Sequence, residues 1–354
     1  MRRLVVVAAA IAAPSWACGH HDRAAKRDAA GRVAADAADA AAPADALPPA
    51  PPVPLPPLGL PALPSSAALA AITPDQLALG ELLFWDGRLA SDGKTSCASC
   101  HDPMKGFSGA IDRTAAGEPN RRRTPSLENL AWVSEYGWNG RFTTLDDLMH
   151  AHVKAQLGQD TIDSAMTRLA VVYAEYIARI RGAPGDAALH SLEAYALTRY
   201  AGDSPWDRME RGGATGMDVD AAKQGKPTDP IIAGYVLFTG KAQCAVCHTP
   251  PLYTDLRYHR ILPPTTDDGR GSIDPRLANA FRTPSLRGLA SHAAFLHDGR
   301  ATSIDQAIDA HVAGSDSDPA LAKVALSPAE RASLVAFVRA LTATKAPPAK
   351  PNLP

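Results

Sequence analysis

Five cysteines and eleven histidines carry the ligand and redox chemistry available to this chain, and four of the cysteines fall into two matching arrangements. Cys97-Ala98-Ser99-Cys100-His101 and Cys244-Ala245-Val246-Cys247-His248 each set two thiols three residues apart, with an imidazole directly after the second. A zinc site and a redox dithiol are the alternatives. Zinc needs four ligands, and a dithiol has no use for the histidine. Covalent haem uses all three groups: the thiols form thioethers to the two vinyl groups of a porphyrin, and the imidazole is the proximal ligand of the iron. Two c-type haems are therefore expected, held by Cys97 and Cys100 and by Cys244 and Cys247, with His101 and His248 as proximal ligands. Cys18 is left alone, which argues against a disulfide framework.

A haem iron has a second axial position, and an internal repeat picks out candidates for it. Arg123-Thr124-Pro125-Ser126-Leu127 recurs as Arg282-Thr283-Pro284-Ser285-Leu286. Gly140-Arg141 and Gly299-Arg300 follow at the same offset, and Thr144-Leu145-Asp146-Asp147 pairs with Ser303-Ile304-Asp305-Gln306. The match ends on Ala151-His152-Val153 against Ala310-His311-Val312. An ungapped match of this length implies duplication of one structural unit. His152 and His311 are the symmetric ligand candidates; the alternative is that they are surface or hydrogen-bonding residues. His150 is two residues from His152, so it points to a different side of a helix, and its repeat partner is Asp309.

The elements that must position these groups read as helices. The 354 residues suffice for two domains with their own cores. Aromatic content of 6% is low for a sheet protein, abundant alanine favours helix, and no alternating strand runs are visible. Thr73-Pro74-Asp75-Gln76 and Ser327-Pro328-Ala329-Glu330 are capping-box helix starts. Asp163 to Arg181 and Asp186 to Tyr200 read as two amphipathic helices joined by Gly182-Ala183-Pro184-Gly185. The Gly/Pro/Asp-rich stretch from Gly212 to Pro230 reads as the domain boundary.

Both ends look non-globular. Arg2 and Arg3 followed by an apolar run to Pro14 read as an export signal, too short to span a membrane. Cys18 is either the lipid-bearing first residue of a lipoprotein or a discarded signal residue. Residues 19–66 read as a disordered Ala/Pro-rich tether, and the last ten residues as frayed. The layout is then 1–18 export signal, 19–66 tether, 67–225 N-terminal haem domain and 226–346 C-terminal haem domain. The expected fold is all-α, two cytochrome c-type domains related by duplication. A formal net charge of −1 gives no electrostatic reason to propose nucleic acid as a partner.

With these motifs in place the sequence resembles the bacterial di-haem cytochrome c peroxidase and MauG family. The resemblance runs from about residue 74 to 342 and is carried by Leu79 to Leu89, the two haem motifs, Gly137-Trp138-Asn139-Gly140-Arg141, Phe281-Arg282-Thr283-Pro284-Ser285-Leu286-Arg287 and Phe295-Leu296-His297-Asp298-Gly299. It implies that electrons enter at the C-terminal haem, that peroxide is reduced at the N-terminal haem, and that Trp138 lies between the haems. It also implies a periplasmic location, a small redox donor protein of cytochrome c or cupredoxin type, hydrogen peroxide as substrate, and a homodimer as a further candidate partner.

The departures are informative. A Met or Tyr ligand of the C-terminal haem is expected where His311 stands, which supports His311 as ligand at a lower potential. The family's catalytic Gln falls on Leu148 and its catalytic Glu on Gly158, while His152 stands over the face expected to be open. Gln156, Gln159 or Asp160 could substitute only if the helix end shifts. A calcium site between the domains is expected to use a side-chain Asn where this chain has Arg123, which argues against calcium. Three functions follow: a peroxidase in which His152 must leave and then acts as acid-base group, an electron carrier with two six-coordinate haems, or MauG-like oxidation of a protein substrate.

Overall fold

A computed structural model describes residues 50–110, 112–213 and 229–354, with Ala221 and Gln224. The export signal, Cys18, most of the tether and most of the expected boundary segment lie outside the described residues.

Among the described residues the structure is helical. The helices are α1 (Ala67–Ala70), α2 (Pro74–Trp85), α3 (Cys97–Cys100), α4 (Leu145–Ala155), α5 (Ile162–Val172), α6 (Ala174–Ile177), α7 (Pro184–Leu197), α8 (Pro205–Arg211), α9 (Pro230–Thr239), α10 (Ile304–Val312) and α11 (Pro328–Ala340). The one sheet among these residues pairs β1 (Tyr258–His259) with β2 (Phe281–Arg282), antiparallel. Both expected capping boxes start their helices: Thr73 with Gln76 opens α2, and Ser327 with Glu330 opens α11. The repeat places matched caps on the helices bearing the two candidate ligands, Thr144 on α4 and Ser303 on α10.

Each half is built on one helix crossing. In α2, a Cβ added to Gly80 would lie 2.0 Å from the Ser191 carbonyl oxygen of α7. In α9, a Cβ added to Gly234 would lie 2.0 Å from the Ser333 carbonyl oxygen of α11. Only a residue without a side chain lets the backbones meet this closely. An aromatic triad fills the space beside each crossing. Phe84 lies 5.0 Å from Tyr195 and 5.8 Å from Phe107; Phe238 lies 5.0 Å from Phe337 and 6.0 Å from Tyr253. Two separate apolar cores result, one around Leu79, Leu83, Met166 and Tyr195, the other around Ile232, Phe238, Leu334 and Phe337.

The halves meet through exchanged main-chain bonds. Arg123 N donates to His297 O at 2.9 Å, and Arg282 N donates to Trp138 O at 2.8 Å. The Arg123 Nε donates to Leu296 O at 2.7 Å, and the Arg282 Nε to Gly137 O at 3.3 Å. Every partner is related by the same offset of 159 residues (282 against 123, 297 against 138, 296 against 137). The contact is a local two-fold in which each unit gives the other what it receives.

Five expectations need correcting. The segment drawn as tether to residue 66 is docked at its C-terminal end. Leu58 O accepts from Asp203 N at 2.7 Å, Gly59 O from the Arg287 guanidinium at 2.6 Å, and Ala62 O from the Trp132 indole at 3.0 Å. The single helix expected over Asp163 to Arg181 breaks at Tyr173, whose hydroxyl donates 2.8 Å to Asp86 in the core. Pro184 and Gly185 belong to the first turn of α7 and not to a linker. The C-terminal residues do not fray: Leu353 packs against the N-terminal core, and the Arg88 guanidinium donates to Pro354 O at 3.0 Å. In addition Trp206, from the half drawn to residue 225, packs in the C-terminal core. Its helix is anchored there by Asp207, which makes a bidentate pair with Arg287 at 2.9 Å, both side chains 1% exposed or less.

Candidate haem sites

The first motif is a single helical turn. Ser96 precedes it, its main-chain N–H donating to Ser99 Oγ at 3.0 Å, and His101 N donates to Cys97 O at 2.8 Å. The tight turn brings both thiols and the imidazole to one side. The second motif is a 3-10 turn, Cys244–Val246, in which His248 N donates to Cys244 O at 2.8 Å. No disulfide joins the four described cysteines. Burial pushes the Cys97 thiol up to about 12 and the Cys100 and Cys244 thiols up to about 11. Such thiols are protonated at neutral pH, unlike the exposed, low-pKa cysteines of a redox dithiol.

All four candidate imidazoles are held in one way. Nδ1 of His101 meets Phe107 O at 3.1 Å, and Nδ1 of His248 meets Tyr253 O at 3.1 Å. Nδ1 of His152 meets Leu148 O at 3.0 Å, and Nδ1 of His311 meets Ala307 O at 2.7 Å. A carbonyl can only accept, so Nδ1 carries the proton and Nε2 keeps its lone pair. This is the arrangement of a metal-ligating histidine, with orientation and tautomer fixed from behind. Burial pushes the His101 and His248 imidazoles down to about 4, and the facing imidazoles of His152 and His311 add to the lowering. His152 and His311 are likewise lowered by burial.

The C-terminal site permits a direct test of fit. The His248 and His311 ring centres are 6.0 Å apart. Metal–imidazole bonds of about 2 Å on each side, with roughly 1 Å more from nitrogen to ring centre, place two trans imidazoles about 6 Å apart. The cavity around them is lined by Cys244, Cys247 and apolar side chains including Leu286, Leu289 and Val338. The residues fit a haem. The one described trio of converging Cys, His or acid groups is Cys247, Asp255 and His259, and it shares its thiol with the haem motif. Three such ligands fall short of the four that structural zinc takes.

On the N-terminal side the residues considered as acid-base substitutes are engaged or remote. Gln156 exchanges bonds with Asn120 at 3.2 Å, Gln159 donates to Leu89 O at 3.2 Å, and Asp160 is exposed. Gly158 has φ +66°, and an added Cβ would meet Ser91 Oγ at 2.5 Å. His150 faces solvent beside Asp146, 3.7 Å away. The charged side chain that His152 senses is Arg141, a cation.

Trp138 sits at the junction of the halves, 7% exposed. Its indole N–H donates to Arg123 O at 2.9 Å, and the Arg123 guanidinium lies 4.8 Å from the ring centre. A second cavity, beside the one around the two imidazoles, is lined by Trp138, Arg123, His248 and His311, so the tryptophan borders the C-terminal site. Its loop is clamped from the other half. Arg270 bonds Glu135 at 2.9 Å and the carbonyls of Asn139 and Gly140 at 3.1 and 3.0 Å, while the Tyr258 hydroxyl donates to Glu135 at 2.6 Å.

Two groups went unnoticed in the sequence. Glu128 Oε2 and both ring nitrogens of His292 are buried without partners among the described residues, around Gly106. Burial pushes the Glu128 carboxyl up to about 7 and the His292 imidazole down to about 3. The one available signal was that His292 breaks the repeat, standing opposite Val133.

Fold and site together describe a two-haem cytochrome of helical halves. The family model for di-haem cytochrome c peroxidase matches residues 74–215. The methylamine utilization protein MauG of Methylorubrum extorquens is 34% identical over 80% of this chain and 82% of its own length. The cytochrome-c peroxidase IdrP1 of Denitromonas iodatirespirans is 30% identical over 77% of this chain and 83% of its own. The chain therefore belongs to the di-haem cytochrome c peroxidase and MauG family, and is an oxidoreductase of that family. Among solved structures, a MauG-like protein associated with microbial copper homeostasis superposes with a TM-score of 0.67 at 23% identity, covering 84% of this chain and 95% of that one. The diheme peroxidase BthA of Burkholderia thailandensis gives 0.60 at 20% identity, over 79% and 90%. These two likenesses speak to fold alone.

Proposed function

We propose that this chain is an exported di-haem c-type peroxidase whose N-terminal site is closed at rest by His152. The observation that carries the proposal is the matched holding of four imidazoles, each with Nδ1 on a carbonyl and, among the described residues, no hydrogen bond at Nε2. Cys97, Cys100 and His101 would hold one haem, joined by His152, and Cys244, Cys247 and His248 would hold the other, joined by His311. When bound, the haems supply electron storage and an iron centre at which peroxide is reduced. The protein's share is to admit electrons from a small redox donor protein beside the C-terminal site, to hold Trp138 rigidly between the halves, and to gate access through α4. Release of His152 frees an imidazole whose Nε2 accepts a proton from incoming peroxide. The setting is the periplasm, with Cys18 as the candidate lipid anchor.

One observation favours a second reading, an electron carrier locked in its six-coordinate form. Among the described residues no carboxylate is placed against His152, and Gln156 and Gln159 are tied to other partners. Carbon monoxide added to the reduced protein separates the two. Gas binding at one haem supports a gate that opens, and no binding supports the carrier. In parallel, His152→Gly mixed with peroxide should change its spectrum at least tenfold faster than wild type, about 1.4 kcal/mol of barrier. Fast reaction in wild type, unaltered in the variant, would mean His152 is a bystander.

A further inference from the structure

The resemblance implies a calcium ion between the two halves, and the residues at that place do not fit one. Calcium takes six to eight oxygen ligands from carboxylates, carbonyls and water. Arg123 stands where the side-chain oxygen ligand is expected. Arg123 is 2% exposed, and its guanidinium has no carboxylate partner among the described residues. Instead it takes the carbonyl oxygens of its surroundings: Nε donates to Leu296 O at 2.7 Å, and Nη1 donates to Thr124 O at 3.4 Å. Its face lies over Trp138. An unpaired buried cation is costly, so a position that keeps one has a use for the charge. Two cations cannot share this space cheaply, since like charges repel strongly where water is excluded.

We propose that Arg123 is this protein's built-in cation at the junction: its guanidinium does by covalent attachment what a bound divalent ion would do, and the junction needs no calcium. The guanidinium joins the two halves through Leu296 O, caps the carbonyl of the next residue, Thr124, and packs the Trp138 ring by a cation–π contact. Its main-chain N–H and C=O complete the set, to His297 O and from the Trp138 indole. The local two-fold supplies an internal comparison. Arg282, the partner position, reaches Gly137 O at the longer distance of 3.3 Å and senses Glu135 nearby, whereas Arg123 senses no acid. The inference does not depend on which chemistry the haems perform.

The test uses the haem-loaded full chain. Wild type, equilibrated with calcium chloride and passed through a desalting column, should carry substoichiometric calcium by inductively coupled plasma mass spectrometry. Its melting temperature should be the same in EGTA and in millimolar calcium chloride. One calcium per chain, or a lower melting temperature in EGTA, overturns the proposal. Arg123→Asn restores an oxygen ligand and removes the cation. In EGTA it should melt several degrees below wild type, and calcium chloride should restore part of the loss while sodium chloride of equal ionic strength does not. A variant as stable as wild type in EGTA, or one whose loss calcium leaves untouched, counts against a cation site. Should the variant fail to fold, the wild-type calcium content and EGTA response decide alone.

Discussion

At the scale of single residues, imidazoles held by carbonyls at Nδ1 stand apart from a buried carboxyl without a partner among the described residues. His311 is expected to be a ligand because its Nδ1 is committed to Ala307 O and its ring faces His248 at ligation distance. His311→Ala should give a high-spin signal at the C-terminal haem with the N-terminal spectrum unchanged. His311→Met should raise that haem's potential, since a thioether favours the reduced iron relative to imidazole. Unaltered spectra in both variants would remove His311 from the coordination sphere. Glu128 makes a pH prediction. Burial raises its carboxyl from 4.5 to about 7, so the folded chain keeps a proton that the unfolded chain releases across that window. Stability from this group is full below pH 4.5 and declines as pH rises towards 7. Glu128→Gln should flatten the decline in urea midpoint over that range, and an equal slope in the variant would show that another group causes it.

At the scale of elements, two helix crossings set the frame that the haem motifs hang from. Gly80→Ala and Gly234→Ala each push a methyl into a facing carbonyl and should cost about 1–3 kcal/mol in thermal or urea unfolding. A neutral result in either would mean the helices can part without loss. The sequence showed one half of this frame and hid the other. The repeat from Arg123 to Val153 was readable because it runs without a gap, and it led to His152 and His311 by position alone. The crossings carry a repeat of their own, Gly80, Leu83 and Phe84 against Gly234, Leu237 and Phe238. It escaped notice because the spacing to the first haem cysteine differs, thirteen residues from Phe84 and six from Phe238. The break at Tyr173 was illegible for another reason. The break coincides with a bond to Asp86, a partner 87 residues away, and local pattern carries no trace of such a contact. Helix starts, by contrast, depend on three or four adjacent residues, and both capping boxes were read correctly.

At the scale of the whole molecule, the two halves are tied by more than the junction. The chain after α11 returns to the first half, where Lys345 donates to Tyr200 O at 3.4 Å and Leu353 fills a place on the N-terminal core. Deleting residues 346–354 should therefore destabilise the N-terminal half by about 1–2 kcal/mol, the burial of one leucine, while the C-terminal haem spectrum stays as it was. Equal loss at both haems would indicate a general effect and not a strap.

The exchanged bonds at the junction make the molecule its own control. Because each position from 123 to 153 has a twin 159 residues on, what distinguishes the two haems within this unit must reside where twins differ. Glu128 faces Arg287 in this bookkeeping, Val133 faces His292, and Trp138 faces His297. Swapping twins one pair at a time converts one side toward the other inside a single chain, at constant solvent, ionic strength and partner concentration. Ancestral equality followed by divergence is thus written as a short register of unequal pairs, and whatever distinguishes the two sites within this unit can be traced to individual lines of it.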